Sequence, residues 1–192
     1  MTRTSAHIRD LSPMAVPVSP AAMARARDMA KTIPSLKTAR LTLRPPQLAD
    51  FGAYAQIVCT GRGRFVGGPM TGEDAWDDFA RMVATWPLRG HGVWAVSRNE
   101  TVMGFVLIGC EPGDRAHELG FLFLAEGEGN GYAYEAASAA RDFAHDTLGL
   151  QELVSYCDPA NTRAASLAER LGGTESETID GFTCYRYWGS VQ

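Results

Sequence analysis

Three glycines at alternate positions, Gly127-Glu128-Gly129-Asn130-Gly131, separate an apolar run, Phe121-Leu122-Phe123-Leu124, from a stretch with helical periodicity. Few features restrict a fold more. A strand that passes through such a turn into a helix aims the helix's unpaired N–H groups, and the positive end of its dipole, at whatever lies beyond the strand. Glycines let an anion approach the backbone without side-chain obstruction. The combination suits a phosphate or pyrophosphate, with a purely structural turn as the alternative.

Three ligands could use such a turn. A P-loop would end in Gly-Lys-Ser/Thr, and this one does not. A dinucleotide fingerprint would need glycines at 129, 131 and 134, but position 134 is Tyr. Asp158, at the end of the next strand-like run, speaks mildly for a dinucleotide. Against it, only about sixty residues follow the turn, too few for a doubly wound sheet. The third ligand is the pyrophosphate of coenzyme A.

The surrounding pattern is mixed. Thr38 to Arg44 alternates leucine with polar residues and stops at Pro45-Pro46, as a half-buried strand does. Leu48 to Val58 has helical spacing, and Gly61 to Met70 reads as a loop. Thr71 with Asp74 three residues on reads as the capped start of a helix that runs to Pro87. Gly92–Ser97, Thr101–Gly109 and Ala116–Leu124 read as an antiparallel meander. A helix from about Gly131 to Leu148 follows, with Ala136, Ala140, Phe143, Ala144 and Leu148 on one face, closed by Gly149. A strand at Leu153–Cys157, a helix at Asn161–Leu171 and a hairpin about Asp180-Gly181 complete the order β α α β β β α β α β β. The expectation is an α+β fold.

Residues 1–33 stand apart, interrupted by Pro13, Pro17 and Pro20. They read as an N-terminal arm, mobile or partly helical, with packing on a second copy in a homodimer as the other reading. The arm lacks the continuous apolar region of a signal peptide, so a cytoplasmic protein is expected. Residues 34–192 then form one domain. A net charge of −4 argues against a surface built for nucleic acid, and no apolar run reaches the length of a membrane span. Cys59, Cys110, Cys157 and Cys184 are scattered singly and read as small buried hydrophobes. His7, His91, His117 and His145 show no ligand spacing, so no metal is expected. Trp76, Trp86 and Trp94 read as core.

Several ordered motifs together carry a resemblance. Glu126-Gly127-Glu128-Gly129-Asn130-Gly131-Tyr132-Ala133-Tyr134-Glu135-Ala136 resembles the acetyl-CoA signature Q/R-x-x-G-x-G/A of the GNAT superfamily, and its continuation is similar to the RimJ/RimL branch of ribosomal-protein N-acetyltransferases. Leu36 to Arg44 looks like that family's first strand, and His117-Glu118-Leu119-Gly120-Phe121 like its fourth. Asp158-Pro159-x-Asn161 and Glu169-Arg170-Leu171-Gly172 look like the end of its fifth strand and the helix after it.

The resemblance implies a GNAT fold, a mostly antiparallel twisted sheet flanked by helices, whose fourth and fifth strands splay apart. Acetyl-CoA would be a cosubstrate, with no metal. Its pantetheine arm would lie along the backbone of Phe121, Leu122, Phe123 and Leu124. The pyrophosphate would sit on Gly127, Gly129, Asn130, Gly131, Tyr132 and Ala133, and Asn161 would contact the pantetheine or cap its helix. An amine-bearing small molecule or a peptide N-terminus would attack the thioester directly. Glu118 would act as base, and a backbone N–H near Leu122 would meet the developing oxyanion. The alternatives are an acyl-CoA-binding sensor without efficient turnover and, more remotely, a nucleotide-dependent oxidoreductase.

Two departures from the pattern stand out. Glu126 replaces the usual Gln or Arg. Ala164 and Ala168 stand where a Ser and a proton-donating Tyr are common, with Ser166 and Tyr156 only nearby in sequence. Arg163 could reach a CoA phosphate or simply be solvated. Acceptor choice is expected from Gly61–Met70 and the C-terminal hairpin.

Overall fold

The computed structural model describes residues 18–189; His7, Pro13 and Pro17 of the arm lie outside them. Ser19 opens the first helix, α1 (Pro20–Ala30), by accepting from the backbone of Ala22, with Pro20 in the first turn, where a missing N–H is harmless. None of its residues is buried.

The leucine–polar alternation expected as one first strand is divided in two. Leu36–Lys37 (β1) and Thr42–Arg44 (β2) form an antiparallel pair, Leu36 opposite Leu43. The chain reverses between them because Thr38 and Leu41 bond to each other through backbone and hydroxyl. Two helices follow, α2 (Phe51–Val58) and α3 (Gly72–Arg89). Thr71 caps α3 by accepting from Asp74, as its spacing suggests. The helix does not stop at Pro87. That proline sits within the last turn, and the helix ends two residues later at Arg89, capped by Gly90, whose φ of 77° is left-handed.

Strands β3 (Val93–Arg98), β4 (Thr101–Gly109) and β5 (His117–Phe123) form the expected meander. Then come α4 (Tyr132–Asp146), β6 (Leu153–Cys157), α5 (Thr162–Arg170) and the hairpin β7 (Thr174–Ile179) with β8 (Phe182–Trp188). Asp180 and Gly181 both have positive φ, the requirement of a tight two-residue turn.

The sheet order is β1-β2-β3-β4-β5-β6-β8-β7. Every neighbouring pair is antiparallel except β5 with β6, which are parallel and joined across α4. One face of the sheet packs on α4, whose buried residues are mostly alanine (Ala136, Ala137, Ala140, Ala144), so the helix sits close against Val106, Ile108 and Leu119. The other face packs on α2 and α3 through Phe51, Tyr54, Phe79 and Phe105. Trp86 and Trp94 are core, donating to the carbonyls of Val93 and Pro34, and Trp76 packs partly buried beside Phe51. Cys157 and Cys184 are buried, Cys59 and Cys110 partly so, and all four are free thiols.

Candidate active site

The two parallel strands separate almost as soon as they meet. β5 and β6 pair only at His117 with Leu153 and Glu118 with Val154, whereas β5 stays paired to β4 as far as Phe123. Along a strand, successive backbone groups point to opposite edges. The Leu124 N–H donates to the Met103 carbonyl of β4 at 3.0 Å, so the even positions turn toward β4. The odd positions turn to the opening: Leu119 O accepts from Ser155 Oγ at 2.6 Å, and Phe123 O accepts from Arg62 Nη2 at 3.2 Å. The free edge is therefore supplied by the backbone of Phe121 and Phe123. Leu122 contributes its side chain, and its N–H faces β4. The Leu122 N–H, expected to face the opening, is turned away from it because strand polarity alternates, and the nearest N–H groups on the free edge are those of Phe121 and Phe123.

A side chain takes the place of a ladder rung where the strands separate. A parallel ladder carried one rung further would join the Tyr156 N–H to the Leu119 carbonyl. Ser155 takes that carbonyl instead, and the Tyr156 backbone lies where it works to lower the pKa of the Glu118 carboxyl. Ser155, itself buried, also shares a hydrogen bond of 2.9 Å with the Tyr187 hydroxyl on β8.

At the far end of β5 the glycine turn leads into α4. Gly127 is buried, and a Cβ there would lie 2.7 Å from the Met103 carbonyl oxygen, so only glycine fits. Gly129 and Gly131 have φ of 72° and 77°. Asn130 staples the turn by donating to the carbonyls of Glu126 and Glu128. Among the described residues no side chain caps α4, which leaves its first N–H groups, from Tyr132 onward, without a side-chain cap.

The free edge, the turn and the helix start line one cavity of about 820 Å³. Phe121, Leu122, Phe123, Gly127, Gly129, Gly131, Tyr132, Ala133 and Asn161 all face it. Leu124 does not, since it packs into the core beneath, and Asn130 supports the turn from outside the cavity lining. Asn161 caps α5 by accepting from Ala164 N at 3.3 Å while also lining the cavity. The opposite wall is Gly61 to Val66, whose residues Gly61–Phe65 form a 3-10 turn.

Charge around the turn is arranged differently from what the residue types alone suggest. Glu126 is exposed and outside the cavity lining. Glu128 lines it, with its carboxylate between Arg62 and Arg163. Behind the turn, Arg40 donates to the Asn130 carbonyl at 3.0 Å, lies over the Tyr132 ring and pairs with Glu135. Burial works to raise the Glu135 pKa, but donors from Thr38 and Arg40 outweigh it and hold the carboxyl below its ordinary value. Arg40 thus fixes the strap between β1 and β2 onto α4.

Glu118 lies at the apex of the split, on the same strand face as Leu122 but outside the cavity lining. Burial pushes its carboxyl up to about 7; the Tyr156 backbone opposes this, and the charges of Asp114 and Glu111 add to it. A carboxyl that titrates near neutrality can hold or give up a proton at pH 7. On α5, Ala164 lines the cavity and Ala168 is buried, so neither offers a proton. Ser166 does line the cavity; Tyr156 does not. The hydroxyls that the sequence did not single out are Ser155 and Tyr187, the latter pushed up to about 12 by burial. A serine inside the apolar run Leu153-Val154-Ser155-Tyr156-Cys157 was the available signal.

Known proteins share this fold. The acetyltransferase (GNAT) domain family matches residues 40–174. An acetyltransferase structure from Agrobacterium tumefaciens str. C58 is 42% identical, covers 81% of this chain and 94% of its own, and superimposes with a TM-score of 0.77. RimL, a ribosomal L7/L12 alpha-N-protein acetyltransferase solved in complex with coenzyme A, shares the fold at 15% identity, with a TM-score of 0.67 over 81% of this chain and 98% of its own. The uncharacterised protein YkkB of Bacillus subtilis (strain 168) is 36% identical over 62 residues; the match spans 32% of this chain and only 36% of that protein's length.

Proposed function

The chain belongs to the GNAT acetyltransferase family and is an acyltransferase, and from that premise we propose that it moves an acetyl group from acetyl-CoA to a primary amine, either a protein N-terminus or a small amine. One observation carries the reading. The free edge of β5 and the uncapped start of α4 line a single cavity, so an extended amide-bearing arm and an anion can be held at once.

The residues present fit acetyl-CoA. Backbone groups of Phe121 and Phe123 would pair with the pantetheine amides as a neighbouring strand does, and Asn161 borders the same channel. The N–H groups at Gly129, Gly131, Tyr132 and Ala133 would hold the pyrophosphate, where the helix dipole favours negative charge. When bound, the cosubstrate supplies an activated acyl thioester.

The chain's own part is to orient, exclude water and manage protons. An N–H of the free edge, from Phe121 or Phe123, would meet negative charge developing on a carbonyl oxygen. Glu118 would accept the proton that an attacking ammonium must lose, through water, with a pKa suited to neutral conditions. No residue of α5 is needed as acid, because a thiol of pKa about 8.5 leaves tolerably as its anion. The RimL likeness in fold is in keeping with a peptide acceptor, while the wall from Gly61 to Val66 and the β7–β8 hairpin would set the choice.

The test is to incubate the protein with acetyl-CoA and a panel of amines and peptides and to follow release of free CoA. Release that depends on one acceptor class supports the proposal. Binding without release across the panel contradicts turnover on amines, and NAD(P) binding in place of acetyl-CoA contradicts the cosubstrate.

A further inference from the structure

Arg62 and Arg163 both line the cavity, one on the 3-10 turn after α2 and the other in the first turn of α5. Both end on the same carboxylate. Glu128 accepts from Arg62 through one oxygen and from Arg163 Nη1, at 3.0 Å, through the other. Arg62 reaches further, and its Nη2 also donates to Phe123 O at 3.2 Å, the outermost carbonyl of the free β5 edge.

A carboxylate between two glycines of a turn suited to phosphate has the wrong charge for that place unless it does something else. Its two oxygens here imitate what a phosphate would offer the arginines, since a guanidinium binds both kinds of oxyanion in the same manner. The side chains of Arg62 and Glu128 are 32% and 30% exposed, so the pair is partly withdrawn from water and not a freely solvated surface contact. The same arginine covers a carbonyl that an incoming pantetheine amide would need.

We infer that Glu128 is a built-in competitor for the phosphates of the cosubstrate, holding Arg62 and Arg163 across the cavity mouth until a stronger anion exchanges with it. The inference rests on acetyl-CoA being the ligand of this site. Binding is then an exchange: phosphate takes the arginines, Glu128 turns to solvent, and Arg62 leaves Phe123 O free for the arm. Phosphate seating and arm seating are coupled through one side chain. Ligands that carry the arm without phosphate cannot drive the exchange, so the latch selects for the nucleotide end of the molecule.

Calorimetric titration with acetyl-CoA, and with pantetheine as the phosphate-free probe, tests this on the full chain. Glu128→Gln keeps the size and removes the charge. It should tighten acetyl-CoA by about three- to tenfold, the scale of a partly exposed ion pair, and change pantetheine affinity less. Arg62→Ala and Arg163→Ala should each weaken acetyl-CoA by a similar factor, and the gain from Glu128→Gln should shrink in the Arg62→Ala background. If the wild-type chain binds acetyl-CoA and Glu128→Gln binds it equally or more weakly, the competitor role is overturned and the carboxylate is a tie that supports the cavity wall. A wild-type chain that does not bind acetyl-CoA overturns the cosubstrate reading itself, and this inference with it.

Discussion

The hydroxyl of Ser155 donates to the Leu119 carbonyl at 2.6 Å, at the first position where β5 and β6 no longer pair. One short side chain thus substitutes for a rung of the sheet, and the opening that the rest of the site requires begins there. The bond is buried and is shared with Tyr187, so it is not exchanged for water.

Removing that hydroxyl should therefore be felt in two ways. Ser155→Ala leaves a buried carbonyl without its donor, a cost of about 1–3 kcal/mol, read as a lower urea midpoint. The Tyr156 N–H is the nearest replacement donor by register, and its return would close the split by one rung and raise the KM for acetyl-CoA more than it changes kcat. Ser155→Thr, which keeps a hydroxyl, should recover much of the KM effect. An unchanged KM in Ser155→Ala would mean that the split is held by packing alone.

Glu118 sets function against stability. Its folded pKa, about 7, lies above its ordinary value, so the fold favours the protonated form and the charged form costs stability as pH rises through this window. Glu118→Gln should stabilise the protein at pH 8, by up to about 3 kcal/mol, with little effect near pH 4. The same variant should lower kcat/KM by about 10²-fold at pH 7 and remove an inflection near pH 7, the loss fading at high pH where the amine is already neutral. A variant that keeps both wild-type stability at pH 8 and the wild-type pH–rate profile would remove Glu118 from this role.

The histidine pair titrates in the opposite sense. His91 and His117 lie edge to face with ring centres 5.1 Å apart, and burial lowers both pKa values, with Arg89 acting on both in the same direction. Nδ1 of His91 bonds the Ile108 carbonyl, which opposes the shift for that ring. A folded pKa below the unfolded value means that stability is fully present above about pH 6.5 and is lost as pH falls through the folded values. Because Glu118 gains stability over part of the same range, the acid sensitivity should emerge most clearly in the Glu118→Gln background. Denaturation midpoints at pH 7.5 and 5.5 measure it; midpoints there that do not fall with pH would count against neutral, buried rings.

Gly127 is fixed by contact, not by dihedral angle. A Cβ at this position meets the Met103 carbonyl oxygen at 2.7 Å, and backbone cannot give way as a side chain tip can. Gly127→Ala should displace the turn, costing about 1–3 kcal/mol in urea denaturation and weakening acetyl-CoA. Gly129→Ala, where nothing lies within 4 Å but φ is 72°, should cost only about 1–2 kcal/mol. Equal, negligible effects at both positions would contradict the assigned packing.

Much of this arrangement was legible in the sequence, and the reasons are local. The glycine turn, the Thr71 cap, the alanine face of α4, the Asn161 cap and the Asp180-Gly181 hairpin are each written in neighbouring residues. What escaped depends on partners far apart in the chain. Nothing near Arg62 announces Glu128, sixty-six residues later, and nothing near Ser155 announces Leu119 or Tyr187. The Leu122 N–H faces β4 and not the opening because edge parity is set by the pairing with Met103, which an apolar run does not encode. Glu126 departs from the usual Gln or Arg at little cost because it is exposed and outside the cavity lining, whereas Glu128, two residues on, lines the cavity.

Amide hydrogen exchange with and without acetyl-CoA tests the central claim most directly. The free edge of β5 and the start of α4 should gain protection together, at Phe121, Phe123 and Tyr132 to Tyr134, while Leu122 and Leu124, which face β4, change little. Saturable binding that leaves those amides unchanged and protects another part of the chain would contradict the account.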